Sequence, residues 1–196
     1  MCSSFYKTTR PSPYLYSMEQ PTKTPARFNA GTPRVQRLLN GFRSPFKMRL
    51  YFFKSLPSLW FWGARIRHVD PQRSEVVLPF NWASKNPFRS IYFAAQCGVA
   101  EFSTGILCKI AIDGMDERIS MLVSKAECEF TKKATSDTVF YCEDGAKVIA
   151  TIERAIATRE PQICTMTATG KMADGTVVSV TRLTWSFLAK GKSTGK

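Results

Sequence analysis

The stretch NPFRSIYFAAQCGVAEFSTGILCKIA, which begins at Asn86, constrains this chain more than any other. It reads as a helix over about residues 88–110, apolar on nearly every side and roughly 30 Å long at 1.5 Å per residue. A helix without a polar face persists in water only if something encloses it, and a curved sheet is the natural wrapper. One carboxylate, Glu101, stands near the middle of this rod. Acids are rarely buried without a partner, so Glu101 is paired with a cation, turned to water, or kept for chemistry. The residues alone leave these three readings open.

The rest of the chain supplies the wrapper. GARIRHV (63–69) and SEVVLPF (74–80) read as strands around an Asp70-Pro71-Gln72 turn. Residues 119–130 alternate, but their apolar phase flips, which predicts a bulge near Ser124 and Lys125. Val139 to Cys142 is a short strand. Residues 144–158 show a helical stripe (Val148, Ile149, Ile152, Ala155, Ile156) behind a potential cap at Asp144. Two alternating runs flank Ala173-Asp174-Gly175, a strong hairpin signal. The order predicts an α+β domain, with antiparallel strands curved around one central helix.

The N-terminal part differs. Residues 1–33 are rich in Pro, Thr, Ser and basic groups and read as a disordered tail; within it Met18 offers an alternative start. Residues 34–61 read as helices broken at Pro45 and Pro57. From Arg34 to Arg67 there are eight basic residues and no acid, interleaved with aromatics. Three readings fit: a helical segment docked on the core with a solvated basic face, a cap over a greasy channel, or a peripheral membrane contact through residues 46–62. The domain expected is 34–190, with residues 191–196 as a second tail.

Composition narrows the function classes. The net charge of +13 favours phosphate-bearing partners, but no nucleic-acid recognition motif appears, so nucleic acid is not an expected partner. The six cysteines lie outside any CxxC or Cys/His cluster and the single histidine is His68; no metal site and no cofactor are expected. No run is long and apolar enough to span a bilayer, and no export signal is visible, so a cytoplasmic protein is expected.

The element order, together with Leu78-Pro79 leading into Asn81, the Asn86 loop, Ser90-Ile91-Tyr92 opening the helix, and Ala100-Glu101 followed by Gly105, resembles the hotdog-fold thioesterase superfamily. Its nearest branch is a bacterial thioesterase-like domain of unknown function. The resemblance covers about residues 34–189 and implies hydrolysis of acyl-CoA or acyl-carrier-protein thioesters without a metal, by a homodimer or larger homo-oligomer. It places the family's helix carboxylate on Glu101 and its polar loop residue near Asn81 or Asn86. Many relatives have a histidine where Tyr92 stands.

A thioester carbonyl attacked by water needs a base and donors for the developing oxyanion. Glu101 is the candidate base, since apolar surroundings raise a carboxyl pKa. Ser90, Ala94, Cys97, Thr104 and Cys108 share its face of the helix, and their small side chains leave room for substrate. Asn86 is a candidate to orient water or carbonyl. Backbone amides at Ser90, Ile91, Tyr92 and Phe93 are candidate oxyanion donors, and Arg89 beside them could meet carrier phosphates. Asn81, Cys97 and Thr104 complete the expected substrate contacts. The alternative is a non-catalytic module that binds an acyl chain or lipid in the same cleft.

Overall fold

The computed structural model describes residues 27–192. Three short helices come first: α1 (Pro33–Phe42), α2 (Pro45–Ser55) and α3 (Pro57–Trp62). Each begins on a proline, whose missing N–H costs nothing in a first turn. Thr32 and Ser44 cap α1 and α2 by accepting the amides of Val35 and Lys47. Gly63, at φ 77°, ends α3 in the left-handed conformation that glycine adopts freely.

Strands β1 (Arg65–Val69) and β2 (Ser74–Leu78) follow as a hairpin. Asp70 closes its turn by accepting the amides of Gln72 and Arg73. The long helix α4 (Phe93–Asp113) leads into β3 (Glu117–Phe130) and β4 (Thr138–Cys142). Helix α5 (Gly145–Thr158) and the hairpin β5 (Gln162–Met172) and β6 (Val177–Lys192) complete the chain. The six strands form one antiparallel sheet in the order β1-β2-β4-β5-β6-β3. It curves around α4, giving the hotdog fold. The helix touches β2 to β6 on one side and α1, α3 and α5 on the others. Val99, Ala100, Ile106, Leu107 and Ile110 are buried against Phe140, Met166 and Phe187.

The predicted bulge stands where the phase flips: the β3–β6 register slips between Val123 and Lys125. The Asp174-Gly175 turn closes β5 on β6, with Gly175 at φ 84°. Asp144 precedes α5 but does not cap it through its side chain; its Oδ2 accepts the Thr167 amide on β5 instead.

The central helix starts later than predicted, at Phe93. Residues 86–92 form a turn, because Asn86 Oδ1 accepts the amides of Phe88 and Ser90 and Arg89 takes φ 57°. Such a turn consumes the amides a helix would otherwise begin with. At the chain ends, residues 1–26, including Met18, and residues 193–196 lie outside the described residues. Within the expected tail, Phe28 packs against the core and its N–H donates to Glu153, while the Asn29 amide donates to the Gly114 carbonyl. Strand β6 extends to Lys192.

The start of α5 is wedged against the β1–β2 turn. A methyl group on Gly145 would lie 2.1 Å from the Pro71 carbonyl oxygen and 2.5 Å from Gln72 Cα. Backbone cannot rotate away as a side chain would, so Gly145→Ala is expected to cost about 1–3 kcal/mol or more of unfolding free energy. Urea denaturation of the two proteins measures this; equal midpoints would show that the turn yields.

Candidate functional site

Glu101 projects from the middle of α4 and is only partly buried. Among the described residues its carboxylate has no ion-pair or hydrogen-bond partner. Burial alone raises its pKa above the ordinary glutamate value. One carboxylate oxygen lies over its own helix: a methyl group on Gly105 would be 3.6 Å from Oε1 and from the Trp185 ring. Beside it opens a largely apolar cavity of about 410 Å³. Phe102, Gly105 and Ile106 of α4 form one wall, and Leu38, Phe42 and Met48 of α1 and α2 face them. Arg37 and Lys47 add positive charge to the lining, while the Lys109 ammonium is paired with Asp113. Phe52 holds α2 in place by packing edge-on against Phe102, with ring centroids 5.0 Å apart.

The cavity lies on a different face of α4 from the one expected. Thr104 and Cys108 are fully buried. Thr104 Oγ donates to the Glu101 carbonyl and accepts from Trp185 Nε1 at 3.0 Å, so it ties α4 to β6 and lines no cleft. Cys97 stands 3.3 Å from Cys128 Sγ on β3, and burial pushes its pKa up to about 12. A thiol so far from ionisation is no nucleophile at neutral pH, and it does not border the cavity.

The loop residues gather elsewhere. Asn86, Ser90, Ile91 and Tyr92 line a separate, more open cleft of about 730 Å³ at the start of α4. Asn81 builds its own turn, accepting the amides of Ala83 and Ser84 and donating to the Trp62 carbonyl. The expected oxyanion donors are mostly taken. The amide of Ser90 donates to Asn86 Oδ1, that of Ile91 to the Ala134 carbonyl, and that of Tyr92 to the Ser84 carbonyl. Arg89 is exposed and its amide donates to the Asn86 carbonyl. The amides of Phe93 and Ala94, the first residues of α4, have no partner among the described residues. They precede Glu101 by about 12 and 10 Å along the axis.

Residues 48–187 match the model of a family described as a domain of unknown function, DUF4442. The chain belongs to this family. No curated protein matches the chain. Solved structures share the fold. One, from Pseudomonas aeruginosa, is called a protein of unknown function and probable thioesterase; it is 17% identical, with 74% of this chain and 97% of that one covered at TM-score 0.62. Another is a thioesterase from Haemophilus influenzae, 11% identical, covering 78% and 95% at TM-score 0.55. A thioesterase enzyme from Staphylococcus aureus, present as a mutant, is 15% identical, covering 66% and 97% at TM-score 0.52.

The DUF4442 match omits a part of the cavity. Arg37, Leu38, Gly41, Phe42 and Lys47 all precede it, yet all five line the space beside Glu101. The sequence marked residues 34–61 as one possible cap, but not these side chains. Two proline corners fold α1 and α2 back over α4, and no local pattern indicates which face then meets the acid.

The raised pKa gives a stability test. Below the unfolded-state pKa of about 4.3 the carboxyl is protonated in both states and costs nothing. As pH rises through the raised folded-state value, ionising Glu101 inside the fold costs stability, and the loss persists above it. Glu101→Gln cannot ionise. Its stability relative to the natural protein should therefore rise as pH climbs from the unfolded-state value through the raised folded-state one, read from urea midpoints. A relative fall over that range would reveal a cation stabilising the carboxylate.

Proposed function

We propose that this protein hydrolyses acyl thioesters, of CoA or of an acyl-carrier protein, with Glu101 as the general base. The observation that carries this reading is an unpaired carboxylate of raised pKa bordering an apolar cavity on the central helix of a hotdog fold. The solved thioesterases that share the fold support the reaction class. In this reading the acyl chain enters between α1–α2 and α4. Glu101 takes a proton from water as the water attacks the carbonyl carbon; the tetrahedral intermediate then expels the thiolate, which is protonated on leaving.

The oxyanion donors are the second requirement. Phe93 and Ala94 lie too far along α4 to serve the carbonyl that Glu101 of the same chain would reach. We assign this role to the start of α4 in a second copy, so the active form is a homodimer or larger. Strand β3 is an open sheet edge, with Leu122 exposed on it, and offers a surface for such pairing.

The engaged amides of residues 90–92 also favour a second reading, in which the same cavity holds an acyl chain or lipid without turning it over.

Thiol release from an acyl-CoA series separates the two. Glu101→Gln should lower kcat/KM by about 10²–10⁴-fold. An equally active variant, or no release by the natural protein, would remove the hydrolase reading. Gly41 tests the cavity itself, because it lines that space and a methyl group added there meets nothing within 4 Å. Gly41→Leu should raise KM for long acyl chains while short ones are unaffected; unchanged chain-length preference would place the acyl group elsewhere.

A further inference from the structure

Helix α2 has two apolar faces, and the fold uses only one. Met48 and Phe52, one turn apart, are buried against the core. Phe46, Leu50 and Phe53 fall within an arc of about 60° on the opposite side, at 100° per residue. They are 80%, 59% and 61% exposed. Solitary exposed apolar residues need no explanation, but a contiguous group of them does.

The stripe continues across α3. Phe53 packs edge-on against Trp60, with centroids 5.3 Å apart. The next residue, Phe61, packs edge-on against Trp82 at 5.9 Å. Phe61 is 52% and Trp82 76% exposed. Five large apolar side chains from three chain segments are thus exposed, those of α2 joined to α3 through the Phe53–Trp60 contact.

Charge identifies the occupant. At 100° per residue, Lys47 and Lys54 flank the α2 stripe on one side and Arg49 on the other. Lys47 and Lys54 have no ion-pair partner among the described residues, and Arg49 lies over the Trp60 ring at 4.9 Å. No acid occurs between Arg34 and Arg67. Aromatics and Leu on the outward line, with cations on both flanks able to bury their stems and keep their charges in the headgroup layer, are the pattern of a helix lying in a lipid interface. Among the described residues no helix is long and apolar enough to cross a membrane, so the contact is with the surface.

We propose that α2, α3 and Trp82 form a docking face for an anionic phospholipid bilayer. Phe46, Leu50, Phe53, Phe61 and Trp82 enter the headgroup–acyl boundary, and Lys47, Arg49 and Lys54 meet lipid phosphates. The cavity beside Glu101 shares this helix: Met48, Tyr51 and Lys47 line it. Docking therefore sets one wall of that cavity at the lipid surface. The proposal stands on exposure and charge, and holds whether or not Glu101 acts as a base.

The test is co-sedimentation of the full chain with vesicles of phosphatidylcholine, alone or with about a third phosphatidylglycerol. The natural protein should bind the phosphatidylglycerol vesicles, and less tightly as salt rises. The triple variant Phe46→Ser, Leu50→Ser, Phe53→Ser should lose about tenfold or more in binding and still unfold cooperatively, with a melt lowered only slightly by loss of the Phe53–Trp60 contact. Lys47→Gln with Lys54→Gln should weaken binding to phosphatidylglycerol vesicles severalfold and leave pure phosphatidylcholine vesicles unaffected. Absence of vesicle binding would overturn the proposal. So would a triple variant that binds as well as the natural protein, since attachment would then be by charge alone. A lipid-free dimer that the triple variant converts to monomer would show that a second copy covers the face.

Discussion

Helix α4 is apolar around nearly its whole circumference, and water penalises each uncovered turn of it. The sheet, α5 and the N-terminal helices all answer that single requirement. Strands β2 to β6 cover one side, α5 another, and α1 and α3 the rest. Among the described residues, α1 and α2 stand off from α4 beside Glu101 and leave a cavity there. An acid placed there is neither well solvated nor paired, and its raised pKa is the electrostatic expression of that position.

Much of this was legible in the sequence because it depends on local rules. Pro45 and Pro57 break helices wherever they occur, and here they set the corners between α1, α2 and α3. A change of alternation phase at Ser124-Lys125 has no explanation in a strand other than a bulge, and the register slips there. Asp174-Gly175 makes a hairpin turn for reasons contained in two residues. The enclosing sheet followed from the composition of α4 itself.

What was not legible depends on side chains finding distant or competing partners. Asn86 could have capped a helix beginning at residue 88. Instead it accepts two amides and bends the chain, Arg89 takes a left-handed conformation, and α4 begins at Phe93. Spacing alone does not distinguish those outcomes. The face on which Glu101 opens depends on distant partners in the same way. Thr104 and Cys108 are small, which suggested open space, but Trp185 and Met166 reach across from the sheet to fill it. The opening lies instead towards Gly105 and Ile106, opposite helices that pack there only through tertiary contact. Asn86 and Glu101 consequently border different cavities, which composition and order did not reveal.

Two cavities border one helix. If Glu101 is the base, the acyl chain lies between α1–α2 and α4, against Glu101, and not in the cleft over the first turn of α4. A crystal structure with a long-chain acyl-CoA thioether, in which sulfur is not bonded to a carbonyl and cannot be hydrolysed, measures this directly. Acyl density is expected to run past Glu101 between Phe42, Met48 and Ile106. Density confined to the cleft lined by Asn86, Tyr92 and Phe93 would contradict it.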